Sequence, residues 1–321
     1  MSKELSSPQW DSIKKITSSD ENVAKYIFTK ADAVAEAVLY KYPTYNERTV
    51  ICCSTMSGCP VGCRFCGAGD AFVRALTHQE ISSQVVALFG SEIDCKPEDI
   101  KKLQIMYMSM GEPMLNYMPL MESIGFMTAY LPSHAQLLIS TSAPKGTESH
   151  FEHLAIISAK VKQIGLQFSV HESTDEARKK LIPTATMTLA EIAKTGEAWC
   201  ESAHRKPYFN YCVHEGNNTD EDVDRLEKLF NPEIWNTTLS VICERDENVA
   251  ASNLRQLTLV QDFSEKLLKQ GFSVRIFNPG GQDDIGGGCG QLWHTQDWMR
   301  KHPELAKVTK GASLPIVHTP K

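Results

Sequence analysis

Hydrophobic and polar residues change their spacing repeatedly along the chain, and this spacing predicts alternating strands and helices. Short runs rich in β-branched and aromatic residues predict strands, and apolar residues three or four positions apart predict amphipathic helices. The predicted strands cover residues 103–108, 136–140, 165–170, 207–213, 237–242 and 272–277. The predicted helices cover residues 78–90, 116–130, 148–161, 174–181, 188–203, 220–230 and 253–269. This order is typical of a parallel sheet covered by helices.

The repeated strand–helix units predict an α/β fold, and we expect a partial (βα)6 barrel. A dinucleotide-binding sheet usually has a Gly-x-Gly-x-x-Gly turn after its first strand, and this chain has no such turn there. In barrels of this kind the chemistry lies at the carboxyl ends of the strands. Functional residues are therefore expected directly after the predicted strands.

The amino-terminal part of the chain has a different pattern. Residues 1–33 are polar with scattered apolar positions, and short helices are predicted there from the spacing of Trp10, Ile13, Ile16, Tyr26 and Ile27. Runs rich in β-forming residues follow at 33–40 and 48–53, and turn-forming residues lie between them at 42–47. This arrangement predicts a β-hairpin that leads into the next segment.

Three parts are predicted: a short helical extension at 1–33, a hairpin and barrel core at 34–292, and a C-terminal helix and tail at 293–321. The 321 residues are 42% hydrophobic and 22% charged, which is ordinary for a globular protein. The amino terminus has no apolar signal core, and no apolar run reaches the roughly 18 residues of a membrane helix. We expect a cytoplasmic monomer.

The net charge bounds the possible partners. The formal charge of −6 disfavours a protein that coats nucleic acid through bulk charge. A local basic patch can still contact phosphate, because such contacts depend on where lysine and arginine lie. One basic group near the C-terminus is a candidate for that contact, and it consists of Arg300, Lys301, Lys307 and Lys310.

Three closely spaced cysteines carry the strongest chemical signal. Cys59, Cys63 and Cys66 have the spacing C-x-x-x-C-x-x-C. Three thiolates can hold a [4Fe–4S] cluster through three irons and leave the fourth iron open for a small chelating ligand. A structural zinc site would want four protein ligands, and a dithiol redox site would need only Cys63 and Cys66. Buried apolar cysteines are the remaining alternative.

Polar residues follow the predicted strands, as the barrel requires. Gly111 and Glu112 lie in Met-Gly-Glu-Pro after the first of these strands, where a carboxylate could accept charge-assisted hydrogen bonds from an ammonium group. Ser140 follows the next strand, and its hydroxyl could bind a carboxylate or a ribose, or cap a helix. His171 ends the third strand, in the sequence Ser-Val-His. A turn glutamate and a structural histidine are the plainer alternatives.

The last motif is a cysteine in a segment rich in glycine. Residues 283–292 read DDIGGGCGQL, with Cys289 among the glycines. Buried structural cysteines rarely lie in such segments. We therefore expect a loop that can bring a sulfur into an active site.

These motifs, in this order, resemble the RlmN/Cfr subfamily of radical S-adenosylmethionine (SAM) RNA methyltransferases, from about Glu36 to Leu292. The resemblance implies a [4Fe–4S] cluster bound by Cys59, Cys63 and Cys66. It implies a SAM site lined by Gly111, Glu112, Ser140, Ser169, Val170 and His171. It also implies three catalytic residues: a methyl-carrying cysteine, a resolving cysteine and a proton acceptor, at Cys289, Cys52 and Glu36.

The resemblance also implies the reaction. One SAM methylates Cys289, and a second SAM, cleaved by reduction, yields the radical that activates this methyl group for addition to carbon 2 of an adenine. Loss of a proton and attack by the Cys52 thiolate release the product and leave a disulfide. The implied partners are ribosomal or transfer RNA and an electron donor such as flavodoxin or ferredoxin.

The chain departs from this subfamily in three respects, of which one is its acidic net charge of −6. The segment before the hairpin is shorter than the subfamily's accessory domain, and residues 243–248 replace a Trp-Asn-Pro-x-Pro-Gly segment that contacts SAM. Three alternatives therefore remain: methylation at carbon 8, a radical SAM enzyme acting on a small molecule or peptide, and a metal-stabilised RNA-binding module without turnover.

Overall fold

The structure is a computed structural model that describes residues 9–241, 249–278, 280, 284–287 and 290–310. Its strands are β1 (Ser12–Thr17), β2 (Val23–Lys30), β3 (Ala33–Lys41), β4 (Arg48–Cys52), β5 (Met56–Gly58), β6 (Ala71–Ala75), β7 (Lys102–Tyr107), β8 (Gln136–Thr141), β9 (Ile164–Ser169), β10 (Tyr208–Val213), β11 (Asn236–Val241), β12 (Ser273–Phe277) and β13 (Lys307–Val308). Its α-helices are α1 (His78–Ser91), α2 (Tyr117–Tyr130), α3 (Glu148–Lys160), α4 (Asp175–Leu181), α5 (Leu189–Ala203), α6 (Asp220–Leu229), α7 (Val249–Lys269) and α8 (Trp293–Lys301).

One mixed sheet contains most of the strands. Its order in the described part of the chain is β1-β2-β3-β4-β7-β8-β9-β10-β11-β12, and a smaller sheet has the order β13-β6-β5. Strands β1 to β4 are antiparallel neighbours. From β4 onward the neighbours are parallel and follow one another in chain order. The predicted α/β fold is therefore confirmed, and so is the hairpin formed by β3 and β4.

The predicted core elements are all present. The six predicted strands correspond to β7–β12, and the seven predicted helices correspond to α1–α7. The largest difference is at α7, which begins at Val249 rather than at residue 253. Local capping explains several of the helix starts. At α1, Thr77 Oγ1 accepts a hydrogen bond from Glu80 N at 3.2 Å, and Glu80 Oε2 accepts one from Thr77 N at 3.0 Å.

The prediction of short helices at the amino end is wrong for the described residues. Instead, β1 and β2 extend the main sheet, and β2 pairs with β3 from Val23↔Tyr40 to Lys30↔Ala33. Both faces of β2 are covered, so its first six residues are all buried. A strand covered on both faces lacks the alternation of polar and apolar residues that marks a half-exposed strand. The division of the chain into three parts stays a prediction.

The core lies between the parallel strands and the helices outside them. Phe168, Phe209, Phe230 and Trp235 are fully buried there, and the rings of Phe209 and Phe230 stack with centroids 4.8 Å apart. Full burial of such a side chain contributes about 1.5–3 kcal/mol. Within the described residues, no helix has the length and apolar character needed to cross a bilayer. The inner face of the strands is more polar, and it forms the site described next.

Candidate active site at the strand ends

A cavity of about 200 Å³ lies against the inner face of the parallel strands. It is lined by ten of the predicted site residues: Glu36, Cys52, Cys59, Cys63, Cys66, Gly111, Glu112, Ser140, Ser169 and His171. The Val170 side chain is instead buried in the hydrophobic core. Cys289 lies outside the described residues. The fold therefore brings together residues that are as far apart in sequence as Glu36 and His171.

Close backbone contacts fold the cysteine loop between β5 and β6. Cys59 N donates to Ala71 O at 3.0 Å, and Cys66 N donates to Cys63 O at 3.1 Å. Gly58, just before the first cysteine, has a φ of 73°, and a Cβ there would lie 2.1 Å from Ala71 O. Glycine is required at this position because any side chain would collide with backbone. All three cysteines line the cavity as a result.

The setting of the three thiols fits an iron–sulfur cluster. Burial raises the pKa of the Cys63 thiol well above its ordinary value, the nearby Cys59 and Cys66 raise it further, and Arg178 opposes the rise. Thiolates in such a setting need metal ions to stabilise their charge. Sulfur ligands favour soft centres, including iron–sulfur clusters.

In the part of the chain that the structure describes, no group of three or more His, Cys, Asp or Glu side chains is arranged to hold one metal ion. A [4Fe–4S] cluster makes a different demand, because each of its thiolates binds a separate iron.

Glu112 is a buried carboxylate whose oxygens already accept four hydrogen bonds. Oε1 accepts from Thr141 Oγ1 at 2.6 Å and from Met114 N at 3.0 Å. Oε2 accepts from Ser142 N and Ser142 Oγ, both at 2.8 Å. Burial raises the pKa of Glu112, and these donors lower it. A carboxylate has about four acceptor positions, so the protein itself uses the hydrogen-bonding capacity of this side chain.

His171 joins the end of β9 to the cysteine loop. Its φ of 62° is in the left-handed region, which is unusual for a residue with a side chain. The ring packs edge-on against Phe65, with centroids 4.9 Å apart. Burial, with a smaller effect from Arg178, lowers the pKa of His171 to about 3, so the ring is neutral near pH 7. Its Nδ1 is buried and has no hydrogen-bond partner, which leaves a polar atom available to a bound molecule.

Arg178 holds the loops that follow two neighbouring strands. Its guanidinium donates to Ser142 O at 2.7 Å and to Ser169 O at 2.9 Å. Burial lowers the pKa of Arg178 to about 10, which still leaves it charged near pH 7. This buried cation therefore fixes the backbone on either side of the predicted SAM site and offsets the charge of Glu112.

The hairpin places the two described catalytic candidates on one face of the sheet. Strands β3 and β4 pair with Val38 opposite Cys52, so Glu36, Val38 and Cys52 point to the same side. Glu36 is 1% exposed, and its Oε1 lies 2.8 Å from Lys25 Nζ. Its Oε2 is buried without a hydrogen-bond partner. Glu36 thus brings an unsatisfied acceptor to the cavity that Cys52 also lines.

Sequence reasoning missed a polar wall formed by the later strands. The cavity is also lined by Gln167, Asn210, Thr238, Ser240 and Arg275. The parallel register aligns Asn210 with Thr238, and Thr238 with Arg275. The available signal is the spacing of Thr238 and Ser240 on either side of the buried Leu239.

The described residues beside Cys289 contact the sheet and the cysteine loop. Tyr40 Oη donates to Gly287 O at 2.7 Å, and Gly67 N donates to Gly290 O at 2.9 Å. Gly290 also lines the cavity. The described neighbours of the predicted methyl-carrying cysteine therefore lie at the site, and the role of Cys289 stays a prediction.

The predicted disulfide between Cys52 and Cys289 has no support in the structure. The eight cysteines among the described residues form no disulfide with one another. Cys289 lies outside those residues, so the pairing stays a prediction of the reaction rather than a feature of the fold.

Comparison with known proteins defines the class of this protein. No family model matches the chain. Its fold is similar to the crystal structure of a radical SAM methyltransferase from Sphaerobacter thermophilus, with a TM-score of 0.71, 23% identity, and coverage of 87% of this chain and 80% of that chain. Together with the cysteine loop and the sequence relatives described next, this fold defines a SAM-dependent radical methyltransferase.

The sequence relatives show the family. The chain is 30% identical over 293 residues to the ribosomal RNA large subunit methyltransferase N of Nitrosopumilus maritimus, which covers 87% of this chain and 79% of the relative. It is 31% identical over 287 residues to a probable dual-specificity RNA methyltransferase RlmN of Pseudothermotoga lettingae, covering 87% and 78%. The chain belongs to the RlmN family of radical SAM RNA methyltransferases. Membership implies SAM and a [4Fe–4S] cluster, and it supports an enzyme over a binding module.

Proposed function

We propose that this enzyme methylates carbon 2 of an adenine in ribosomal or transfer RNA through a methyl group carried on Cys289. One observation supports this most strongly: a single cavity is lined by the three-cysteine loop, Glu36 and Cys52. The relatives named as RNA methyltransferases support RNA as the substrate. Methylation at carbon 8 and action on a small molecule or peptide are the competing outcomes.

The cavity residues would divide the cofactor binding between them. Cys59, Cys63 and Cys66 would hold the cluster, and SAM would be surrounded by Gly111, Glu112, Ser140, Ser169 and His171. When bound and reduced by a donor such as flavodoxin or ferredoxin, the cluster and SAM would supply the radical chemistry that activates a methyl group. Because four internal donors occupy Glu112, its side chain would attract the SAM ammonium group through charge rather than through a new hydrogen bond.

The chain's own residues would do the remaining work. Cys289 would carry the methyl group as a thioether and become joined through it to the adenine. Glu36 would take the proton that the adduct loses, and its unsatisfied Oε2 supports this role. The Cys52 thiolate would then attack the sulfur of Cys289 and form a disulfide. The electron pair of the broken carbon–sulfur bond would leave with the methylene carbon, which takes up a proton and becomes the methyl group of the released base. The remaining unpaired electron of the adduct would pass to the bound cluster. The cavity wall would exclude water from the adduct while these steps proceed.

Three further features of the proposal concern architecture. Strands β7–β12 would curve into the partial (βα)6 barrel, which their uninterrupted parallel order in the described residues supports. The chain would act as a monomer. Residues 1–33, 34–292 and 293–321 would form its three parts, although β2 is joined to β3 in one continuous sheet.

Transfer of labelled methyl groups from SAM tests the proposal. Under anaerobic reduction we expect label to enter a ribosomal or transfer RNA pool, and mass spectrometry of the digested RNA to identify 2-methyladenosine. The Cys289→Ala variant should lose at least about 100-fold in product, because it has no sulfur to carry the group. Cys200→Ala, which removes a cysteine outside the cavity, should retain activity. Methylation that survives in Cys289→Ala would rule out the relay, and 8-methyladenosine would change the assigned carbon.

RNA phosphate should be contacted beside the cavity rather than at the C-terminal basic group. There, Asp297 already pairs with Lys301 at 2.6 Å and lies 4.0 Å from Arg300. By contrast, Arg48 and Lys102 are cross-strand neighbours, and burial lowers the pKa of both, with the nearby charge of Arg275 adding to the effect. The ion pairs of the described residues include no carboxylate partner for these three cations.

Neutralising one of these cations should therefore weaken RNA binding. We expect Arg48→Gln or Arg275→Gln to reduce the slope of log affinity against log salt by about one, because one phosphate contact is lost. The matched control, Arg300→Gln, removes the same charge from a residue beside Asp297 and should change the slope less. Binding titrations between low and moderate salt measure this. If the slope of log affinity against log salt changed only in Arg300→Gln, the phosphate contact would have to lie in the C-terminal basic group.

A further inference from the structure

A fully buried lysine lies at the centre of β2 and contacts two parts of the site. Lys25 Nζ lies 2.8 Å from Glu36 Oε1 and donates a hydrogen bond to Gln291 O at 2.6 Å. The side chains of Lys25 and Glu36 are each 1% exposed. A buried ammonium is costly unless charge and hydrogen bonds compensate it. The folded protein therefore has to keep both contacts of the Lys25 ammonium group, the one with Glu36 and the one with Gln291 O.

The strand register explains why these groups meet. Strands β2 and β3 pair with Ile27 opposite Glu36, which places Lys25 opposite Val38. Residues two apart on a strand share a face, so Lys25 and Glu36 are diagonal neighbours on the side where Val38 and Glu36 line the cavity. The other carboxylate oxygen, Glu36 Oε2, remains without a partner.

The charges around Glu36 come from few elements. Burial raises the pKa of Glu36, and the charge and hydrogen bond of Lys25 oppose that rise. From α8, His294 is close enough to Lys25 that, after burial, the lysine lowers the pKa of the imidazole, with Lys14 contributing. From β4, Cys52 lines the same cavity. Lys25 is thus the cation that acts directly on Glu36.

We propose that Lys25 is a positioning residue for methyl transfer, which keeps Glu36 a carboxylate with Oε2 unpartnered beside the cavity and fixes the backbone at Gln291. The inference rests on the proposed function, since it takes Glu36 as the proton acceptor. It adds that one residue, Lys25, holds both the proton acceptor Glu36 and the backbone at Gln291, two residues after Cys289. Loss of that anchor should alter both the acceptor's protonation and the order of the Gln291 backbone, whereas a purely structural lysine would alter only stability.

Infrared spectroscopy tests, without any turnover, whether Lys25 keeps Glu36 ionised. At pH 7, Lys25→Met should show the carbonyl band of a protonated carboxyl group that wild type lacks, and the band should vanish in Lys25→Met/Glu36→Gln. The control Lys14→Met removes an exposed lysine on β1 and should match wild type. A Lys25→Met protein without the band would overturn the proposal.

Hydrogen exchange tests whether Lys25 fixes the backbone at Gln291. The backbone around Gln291 should exchange faster in Lys25→Met than in Glu36→Gln, because only the former loses the donor to Gln291 O. The double variant removes both charges together, which buried pairs often tolerate, so it provides a folded sample should Lys25→Met fail to fold. It should exchange as fast as Lys25→Met. Equal protection of this backbone in wild type and in the double variant would overturn the shared anchor.

The pH dependence of the methylation rate connects the protonation of Glu36 to turnover. Without the nearby cation the pKa of Glu36 rises further, so the pH at which it can accept a proton moves upward. The acidic limb of the rate profile of Lys25→Met should therefore shift up by about 1–3 pH units, and the profile of Lys14→Met should not. An unshifted limb would overturn the proposal. Failure of the wild-type protein to methylate any RNA would instead contradict the proposed function. The infrared and hydrogen-exchange results would still decide whether Lys25 positions Glu36 and Gln291.

Discussion

Replacing Cys63 by alanine is expected to give a protein that folds but holds almost no iron and no longer cleaves SAM. Cys63 lies in the middle of the three-cysteine spacing, and its raised pKa reflects burial among the other two thiols. Two thiolates cannot retain the cluster as three do, and even changes to groups outside the ligand shell commonly cost about 10- to 100-fold in metal affinity or activity. We therefore expect iron to fall from about four per chain to near zero, and reductive cleavage of SAM to fall by at least about 100-fold.

Iron analysis and assay of SAM cleavage with dithionite measure this effect. Cys95→Ala is the matched control, because it removes a partly exposed cysteine that does not line the cavity. It should retain iron and cleavage. A Cys63→Ala protein with full iron content would show that the cluster is bound elsewhere and would remove the assignment of the loop. Similar thermal unfolding of both variants would confirm that the comparison concerns binding rather than folding.

Replacing Cys52 by alanine should trap RNA on the protein. If the proposed reaction is correct, the adenine is joined to the chain before release, and the Cys52 thiolate is the group that breaks this link. Without it, product should fall by at least about 100-fold, and a covalent RNA–protein species should accumulate up to one per chain. Denaturing electrophoresis followed by nuclease digestion and mass spectrometry would detect the mass of the retained nucleotide.

The neighbouring cysteine provides the control for this experiment. Cys53 is the next residue, and it is fully buried in the hydrophobic core while Cys52 lines the cavity. Adjacent residues of an extended chain point to opposite faces, so Cys53→Ala removes a thiol one position away from the site. It should continue to release product. Turnover by Cys52→Ala without an adduct would require another group to release the base.

The sequence predicted which residues meet at the cavity because the motifs that carry them are local. The cysteine spacing lies within eight residues, and Gly111, Glu112 and His171 follow short, mainly apolar runs that predict strands. Parallel strands place their carboxyl ends at one edge, so the cavity followed from the order of the elements. The structure places all of these residues at that cavity.

The residues that sequence reasoning missed depend on long-range pairing. In β2, Lys25 interrupts an apolar run and breaks the strand pattern, and its long-range contacts with Glu36 and Gln291 O explain why a charged group is buried there. Ile13, Ile16, Tyr26 and Ile27 therefore matched a helical spacing by chance. Alternation can show that Thr238 and Ser240 share a face of their strand, but nothing local distinguishes a polar face that lines a cavity from one that faces solvent.

The antiparallel strands at the amino end limit how far the chain can be shortened. A protein that began at Val34 would lose β2 and leave β3 with a row of unsatisfied amide and carbonyl groups along its length. Exposed strands of this kind pair readily with other chains. Such a fragment would also bury Glu36 without its cation. Trimming what resembles a dispensable leader would therefore yield aggregates rather than a minimal methylase.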